Sequence, residues 1–164
     1  KNEDTLLCCE DNSVDFFGMI FYPKSPRNIS IEDAINLQKK SENLNINGVG
    51  VFVNKDINEI KDIIKKVRLK YVQLHGSEDE EYINTLKRIG VKVIKSISIS
   101  NINDLRNIIN YTSSDYFLFD YKPMKNELPG GNAKSFDWNI LKNLNTNKPW
   151  FLSVSYTHLT LPTK

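Results

Sequence analysis

Short apolar runs rich in β-branched and aromatic residues alternate along this chain with stretches of helical spacing. The runs fall at residues 16–21, 49–53, 71–74, 91–95, 116–119 and 150–152. Each is flanked by polar residues and apolar on both faces, as strands of a parallel sheet covered on both sides are. Between them, Ser30 is a candidate N-cap for a helix from Ile31 to about Glu42, with Asp33 three residues on in the sense of a capping box. Ile57, Ile60, Ile63, Ile64 and Val67 form one helical stripe, and Tyr82, Ile83, Leu86 and Ile89 form another that Gly90 ends. Leu105, Ile108 and Ile109 mark a fourth helix, residues 137–144 a fifth, and residues 5–10 part of a leading one. Strict alternation of helix and strand gives right-handed βαβ units and a parallel sheet. An open doubly wound sheet and a (β/α)8 barrel both satisfy that order. A barrel needs eight strands and usually about 200 residues or more. With six strands in 164 residues, length by itself favours the open sheet.

Composition narrows the class. The chain is 40% hydrophobic and 26% charged, with a formal net charge of +2, which suits one globular domain and excludes collagen-like, coiled-coil and wholly disordered chains. No apolar run approaches the ~20 residues of a membrane span, and residues 1–4 are charged rather than a signal-peptide core. A cytoplasmic location with no membrane partner is therefore expected. The 18 Lys and 4 Arg are spread along the chain and balanced by 20 acidic residues, which argues against a nucleic-acid partner. The two cysteines, Cys8 and Cys9, are adjacent, cannot form an ordinary disulfide, and belong to no metal-binding spacing. They read as reduced thiols on a helix. Abundant Asn, Ile and Lys beside only two Ala indicate an AT-rich genome.

In either architecture the functional groups gather at the C-terminal ends of the strands. Those positions hold Ser25, Pro26 and Arg27, then Asn54, then His75 and Gly76, then Ser96 and Ser98, then Asp120 and Lys122, followed by a loop with Pro129, Gly130 and Gly131. A guanidinium, an imidazole, a carboxylate and a glycine pair on one face suit a small anionic substrate, since Arg is the natural bidentate partner of carboxylate or phosphate. Asp120 ends an aromatic strand, so desolvation is expected to raise its pKa and make it a general acid. Each residue also has a plainer role. Arg27 can be a surface residue after a turn, His75 a strand-end cap, and Asp120 a turn residue. Asp137 and Trp138 read most simply as helix-start chemistry, with the Trp in the core.

Five motifs, in order, carry a family resemblance. They are residues 18–27 (Gly18 to Arg27), 49–54 (Val49 to Asn54), 72–76 (Val72 to Gly76), 117–120 (Phe117 to Asp120), and Gly130-Gly131 followed by Phe136, Asp137 and Trp138. Together they resemble phosphoribosylanthranilate isomerase, over residues 1 to about 153. The resemblance implies a (β/α)8 TIM barrel and so overturns the length argument: the expected fold is an incomplete barrel, roughly strands 2 to 7. It implies an Amadori rearrangement of N-(5-phosphoribosyl)anthranilate to 1-(2-carboxyphenylamino)-1-deoxyribulose 5-phosphate, in tryptophan biosynthesis, with no cofactor and no metal.

By the same resemblance Asp120 matches the general acid, and Arg27 the residue that holds the anthranilate carboxylate. Gln73 and His75 line the pocket, and the Gly130-Gly131 loop covers it. Ala133 stands where the family usually has a further glycine. The family's general base is a cysteine on a strand upstream of Lys1. Cys8 and Cys9 lie in the following helix and do not replace it. Residues 154–164 resemble the in-frame translation of a sequencing adapter, and are expected to be a non-native tail in which His158 has no function. They stand where the family has the glycine-rich segment that helps bind the substrate phosphate. The expectation is an inactive, poorly stable fragment with two open sheet edges. A non-catalytic half-barrel that binds a phosphosugar is the alternative. A flavodoxin-like receiver would need an acidic cluster at the end of its first strand and a Lys after its fifth, a pattern that Asp11 and Asp15 do not form, and fusion or association with indole-glycerol-phosphate synthase stays open.

Overall fold

The computed structural model describes Leu6, residues 12–122 and residues 136–153. Six strands appear where the apolar runs predicted them: β1 (Phe16–Ile20), β2 (Asn47–Phe52), β3 (Tyr71–Leu74), β4 (Lys92–Ile99), β5 (Tyr116–Tyr121) and β6 (Trp150–Leu152). They form one sheet in the order β1-β2-β3-β4-β5-β6, every neighbouring pair parallel. Three α-helices return the chain between the first four strands: α1 (Ile31–Asn43), α2 (Ile57–Val67) and α3 (Glu80–Lys87). Sequential strand order with a crossover at each step is barrel topology. An open doubly wound sheet would reverse direction at a switch point.

Local chemistry explains the helix ends. Ser30 Oγ accepts the N–H of Asp33 at 3.0 Å and donates back to Asp33 Oδ2 at 2.7 Å, so the expected cap exists. Asp56 caps α2 and Asp79 caps α3. Gly90 takes φ +88 just beyond α3, the left-handed conformation that stops a helix. The apolar stripe of α2 faces the sheet, with Ile60 fully buried and Ile63, Ile64 and Val67 nearly so.

Two expected α-helices are corrected. Ile102–Asn110 and Trp138–Asn143 are 3₁₀ helices. Asn103, Asn107 and Asn110 in the first offer the backbone competing side-chain hydrogen bonds, which weakens α-helix relative to tighter turns. Its start is a full capping box between Asn101 and Asp104. Trp138 is not a core residue: it is 46% exposed, and Trp150 is 44% exposed. Of the expected leading helix only Leu6 is described, helical and buried.

The strands alternate strictly between two environments. Met19, Phe52, Val72, Leu74 and Val93 face the helices and join Ile60, Ile64, Ile83 and Leu86 in one core cluster. Ile97, Ile99, Phe117, Phe119 and Leu105 form a second. The opposite face carries Phe16, Tyr71, Tyr116 and Phe151, whose rings meet one another. Phe16 lies edge-on to Tyr71 at 5.1 Å between centroids and edge-on to Phe151 at 5.5 Å. Tyr116 approaches Tyr71 at 6.3 Å and Phe151 at 5.8 Å. Phe16 belongs to the first strand and Phe151 to the last, so the sheet curls until its two edge strands face each other across the interior. These residues sit at or near the strand starts, and the aromatic cluster forms a floor at the N-terminal end.

If the curl brings β1 and β6 together, substitutions at their floor residues must couple. Phe16→Ala and Phe151→Ala are each expected to cost about 2 kcal/mol, below the value for a fully buried ring. The double variant should fall short of additivity by about 0.5–1.5 kcal/mol in denaturant unfolding. Additivity would mean that the two rings do not touch.

A second prediction concerns Asp104. Its carboxylate accepts the Ser100 N–H and Oγ–H (2.8 Å each), the Asn101 N–H (3.1 Å) and Lys122 Nζ (3.0 Å). Burial pushes its pKa up, but these bonds outweigh burial and bring it to about 2. A depressed folded-state value stabilises the fold above the ordinary carboxylate range, and that stability is lost as pH falls toward 2. Asp104→Asn should therefore cost about 2 kcal/mol near neutrality. The gap from the parent chain should shrink between about pH 4 and pH 2.

Candidate active site

β3 carries Gln73 and His75 on the interior face, alternating with Val72 and Leu74, which are fully buried against the helices. On β5 the same alternation turns Phe117 and Phe119 outward and Tyr116, Leu118 and Asp120 inward. β4 lies between them. Its interior residues at that level are Ser96, paired with Leu118, and Ser98, paired with Asp120. Continuing the β3–β4 register one step past Leu74–Lys95 sets His75 beside Ser96.

Strands two apart are separated by roughly 9–10 Å. The imidazole and the carboxylate nonetheless meet across β4, with His75 Nε2 3.2 Å from Asp120 Oδ2. Inward curl shortens the span, and small serines leave the path open. Ser96 Oγ is buried with no hydrogen-bond partner among the described residues.

The other groups fix the pair's orientation. His75 Nδ1 is 3.3 Å from Gln73 Oε1, and Nε2 is the nitrogen turned to Asp120. Asp120 Oδ1 accepts the Tyr121 N–H at 2.8 Å, and the Ser153 side chain also bonds the carboxyl group. Ser153 is held there because its N–H donates to Phe119 O at 2.9 Å. Burial pushes the Asp120 pKa up, as expected from the sequence. The His75 ring, the Tyr121 N–H and Ser153 together outweigh burial, and the net shift is downward. The expectation of a carboxyl raised by desolvation is thus corrected: the imidazole ring and the donors at the strand ends win over a partly apolar wall.

The remaining candidates separate. Arg27 stands in the loop after β1 at the same end of the sheet, with its side chain exposed. That loop is pinned by the Ile29 N–H to Ile20 O (2.9 Å), and the Arg27 N–H donates to Ser25 Oγ at 3.2 Å. Lys122 is turned away to Asp104. Asn54, at φ 47, accepts the Ser77 N–H at 2.7 Å and serves the loop rather than the pocket. Gly130, Gly131, Ala133, Cys8, Cys9 and residues 154–164 with His158 lie outside the described residues.

Ser153 was not legible as a site residue in the sequence. The signal was its place two residues after Phe151, on the same face of β6. Among the described residues no group of three or more His, Cys, Asp or Glu is placed to hold a metal ion, and no helix is long and apolar enough to cross a membrane.

Comparison with known proteins gives the architecture a lineage. The family model for N-(5'-phosphoribosyl)anthranilate (PRA) isomerase matches residues 2–154. The N-(5'-phosphoribosyl)anthranilate isomerase of Paramagnetospirillum magneticum is 36% identical over 159 residues, covering 95% of this chain and 74% of the relative. The crystal structure of the Thermotoga maritima phosphoribosyl anthranilate isomerase superposes with TM-score 0.79 at 31% identity, over 94% of this chain and 73% of that one. A phosphoribosyl anthranilate isomerase solved with reduced 1-(o-carboxyphenylamino)-1-deoxyribulose 5-phosphate superposes with TM-score 0.70 at 29% identity, over 93% of this chain and 82% of that one. The curled parallel sheet is TIM-barrel-like, and the chain belongs to the phosphoribosylanthranilate isomerase family of tryptophan biosynthesis.

Proposed function

We propose that residues 12–153 carry the acid side of the Amadori rearrangement of N-(5-phosphoribosyl)anthranilate. The observation that supports this is the contact of His75 Nε2 with Asp120 Oδ2 at 3.2 Å, at the C-terminal mouth of the sheet. Ring opening requires a proton on the ribose ring oxygen. A carboxyl held below its ordinary value is a poor acid by itself near neutrality. A carboxylate in contact with an imidazole is different, because a proton can pass through that short contact. Asp120 delivers the proton to the substrate, His75 is its neighbour in that transfer, and Gln73 lies against the other imidazole nitrogen. The pair is poised for general acid catalysis without a raised carboxyl pKa.

Arg27 holds the substrate carboxylate in this reading. Its exposure in the ligand-free chain leaves the guanidinium open to an anionic group at the mouth. Gly130 and Gly131 are assigned to the substrate site by family resemblance alone. The base that removes the C2′ proton is assigned by family resemblance to a cysteine that the described residues do not include. Residues 154–164 take no part. The reaction belongs in the cytoplasm, and association with indole-glycerol-phosphate synthase is tested by co-purification.

Binding of reduced 1-(o-carboxyphenylamino)-1-deoxyribulose 5-phosphate to the 164-residue chain tests the substrate class. Arg27→Ala should weaken it by about 2–4 kcal/mol, roughly 30- to 1,000-fold in Kd. Unchanged affinity removes Arg27 from the site. In a chain completed with a relative's base-bearing strand, Asp120→Asn should abolish turnover while leaving this affinity and the fold intact. Substantial residual kcat would overturn the acid assignment. Binding without turnover in the completed chain would favour the half-barrel binding role. Turnover by the 164-residue chain itself would mean that the base lies within it.

A further inference from the structure

Alternation along β4 puts Lys95 on the helix-facing side with Val93, Ile97 and Ile99, where an apolar residue is expected. Its side chain is 1% exposed, and that of its partner Glu78 is 2% exposed. Every polar atom of the two is used. Lys95 Nζ donates to Gly76 O at 2.6 Å, to Leu74 O at 3.4 Å and to Glu78 Oε2 at 3.0 Å. Glu78 Oε1 accepts the Asn54 N–H at 2.7 Å, and Oε2 accepts the Gly76 N–H at 3.0 Å.

A fully buried ion pair is a weak source of stability, because desolvation offsets most of the attraction, and an apolar replacement of similar volume is often neutral. The connectivity of this pair is specific. Asn54 follows β2, Leu74 and Gly76 flank His75 at the end of β3, and Lys95 belongs to β4. One ion pair thus joins three consecutive strand ends, and both carbonyls that Lys95 holds belong to the immediate neighbours of His75. The loop is packed without slack. A Cβ on Gly76 would lie 2.3 Å from Asn54 Oδ1 and 2.9 Å from the Asn54 backbone nitrogen, so only glycine fits.

We propose that the buried Glu78–Lys95 pair is a positioning device for His75, holding the end of β3 so that the imidazole reaches across β4 to Asp120. Its consequence for catalysis rests on the reading of Asp120 as the acid; its geometry does not. Neither residue touches the interior face. They act from behind the strand wall, through the backbone that carries the imidazole.

The test uses the 164-residue chain and the 15N resonances of its two histidines, His75 and His158, the second serving as an internal reference. Asp120→Asn is expected to displace the His75 Nε2 resonance in the parent background at fixed pH. In the Lys95→Met/Glu78→Gln background, which removes both charges and leaves neither unpaired, the same substitution should displace it by less than half as much. His158 should not respond in either background. An equal displacement in both backgrounds, in protein that unfolds cooperatively, overturns the proposal. A merely structural role lowers the unfolding midpoint and leaves the coupling of His75 to Asp120 unchanged. If the double variant does not fold, Glu78→Gln alone is read in the same way. Failure of both to fold makes the pair a folding requirement and also overturns the proposal. The readout uses no turnover, so loss of the acid assignment and loss of this proposal give different results.

Discussion

The curl of the sheet is the constraint on which the other features depend. Parallel strands with right-handed twist, each covered outside by a returning helix, bend toward the uncovered side. In this chain the bend is far enough for Phe16 of β1 to meet Phe151 of β6. Without it, β3 and β5 would hold their interior side chains apart by two strand spacings, and His75 could not reach Asp120. The same bend concentrates the aromatic rings at one end and the polar groups at the other. Floor and mouth are two expressions of one curvature.

The electrostatics of the mouth follow from which atoms face inward. Burial alone would push the Asp120 pKa up. The nearby imidazole, one backbone N–H and the Ser153 side chain turn that preference around. The strand ends therefore hold a coupled pair rather than a solitary carboxyl. Behind the wall, Glu78 and Lys95 meet the same problem of buried charge by neutralising each other and by bonding the backbone of the neighbouring strand ends. The chain places these two pairs on opposite sides of one strand end, so the end of β3 is held from both faces.

Much of this was legible in the sequence because it obeys periodicity. All six strands, the α1 cap at Ser30 and the stripe of α2 could be read from spacing. His75 and Asp120 could be placed at strand ends by the rule that βα loops carry function. The resemblance carried by five motifs corrected what length alone misjudged. Other features resisted because they are long-range. Nothing near Asp120 in sequence announces His75, 45 positions away, or Ser153 on another strand. Lys95 ends an apolar run and Glu78 stands 17 positions before it, and nothing in that spacing joins them until the fold buries both. The 3₁₀ helices resisted for a local reason: Leu105 and Ile108 are three apart, a spacing common to both helix types, so apolar pattern could not separate them. Trp138 was misplaced because an aromatic beside a cap is compatible with either side of a short helix.

The two tryptophans sit at positions 138 and 150, each about half exposed, and Trp150 packs edge-on against Phe119 on the neighbouring strand at 5.7 Å. Both therefore belong to the last third of the chain, one on the closing helix and one on the edge strand. Intrinsic fluorescence of this protein is in effect a local probe. Its tryptophan emission follows the docking of β6 onto β5, while the assembly of β1 to β4 is left to tyrosine signals such as that of Tyr71 and to the circular dichroism of the helices.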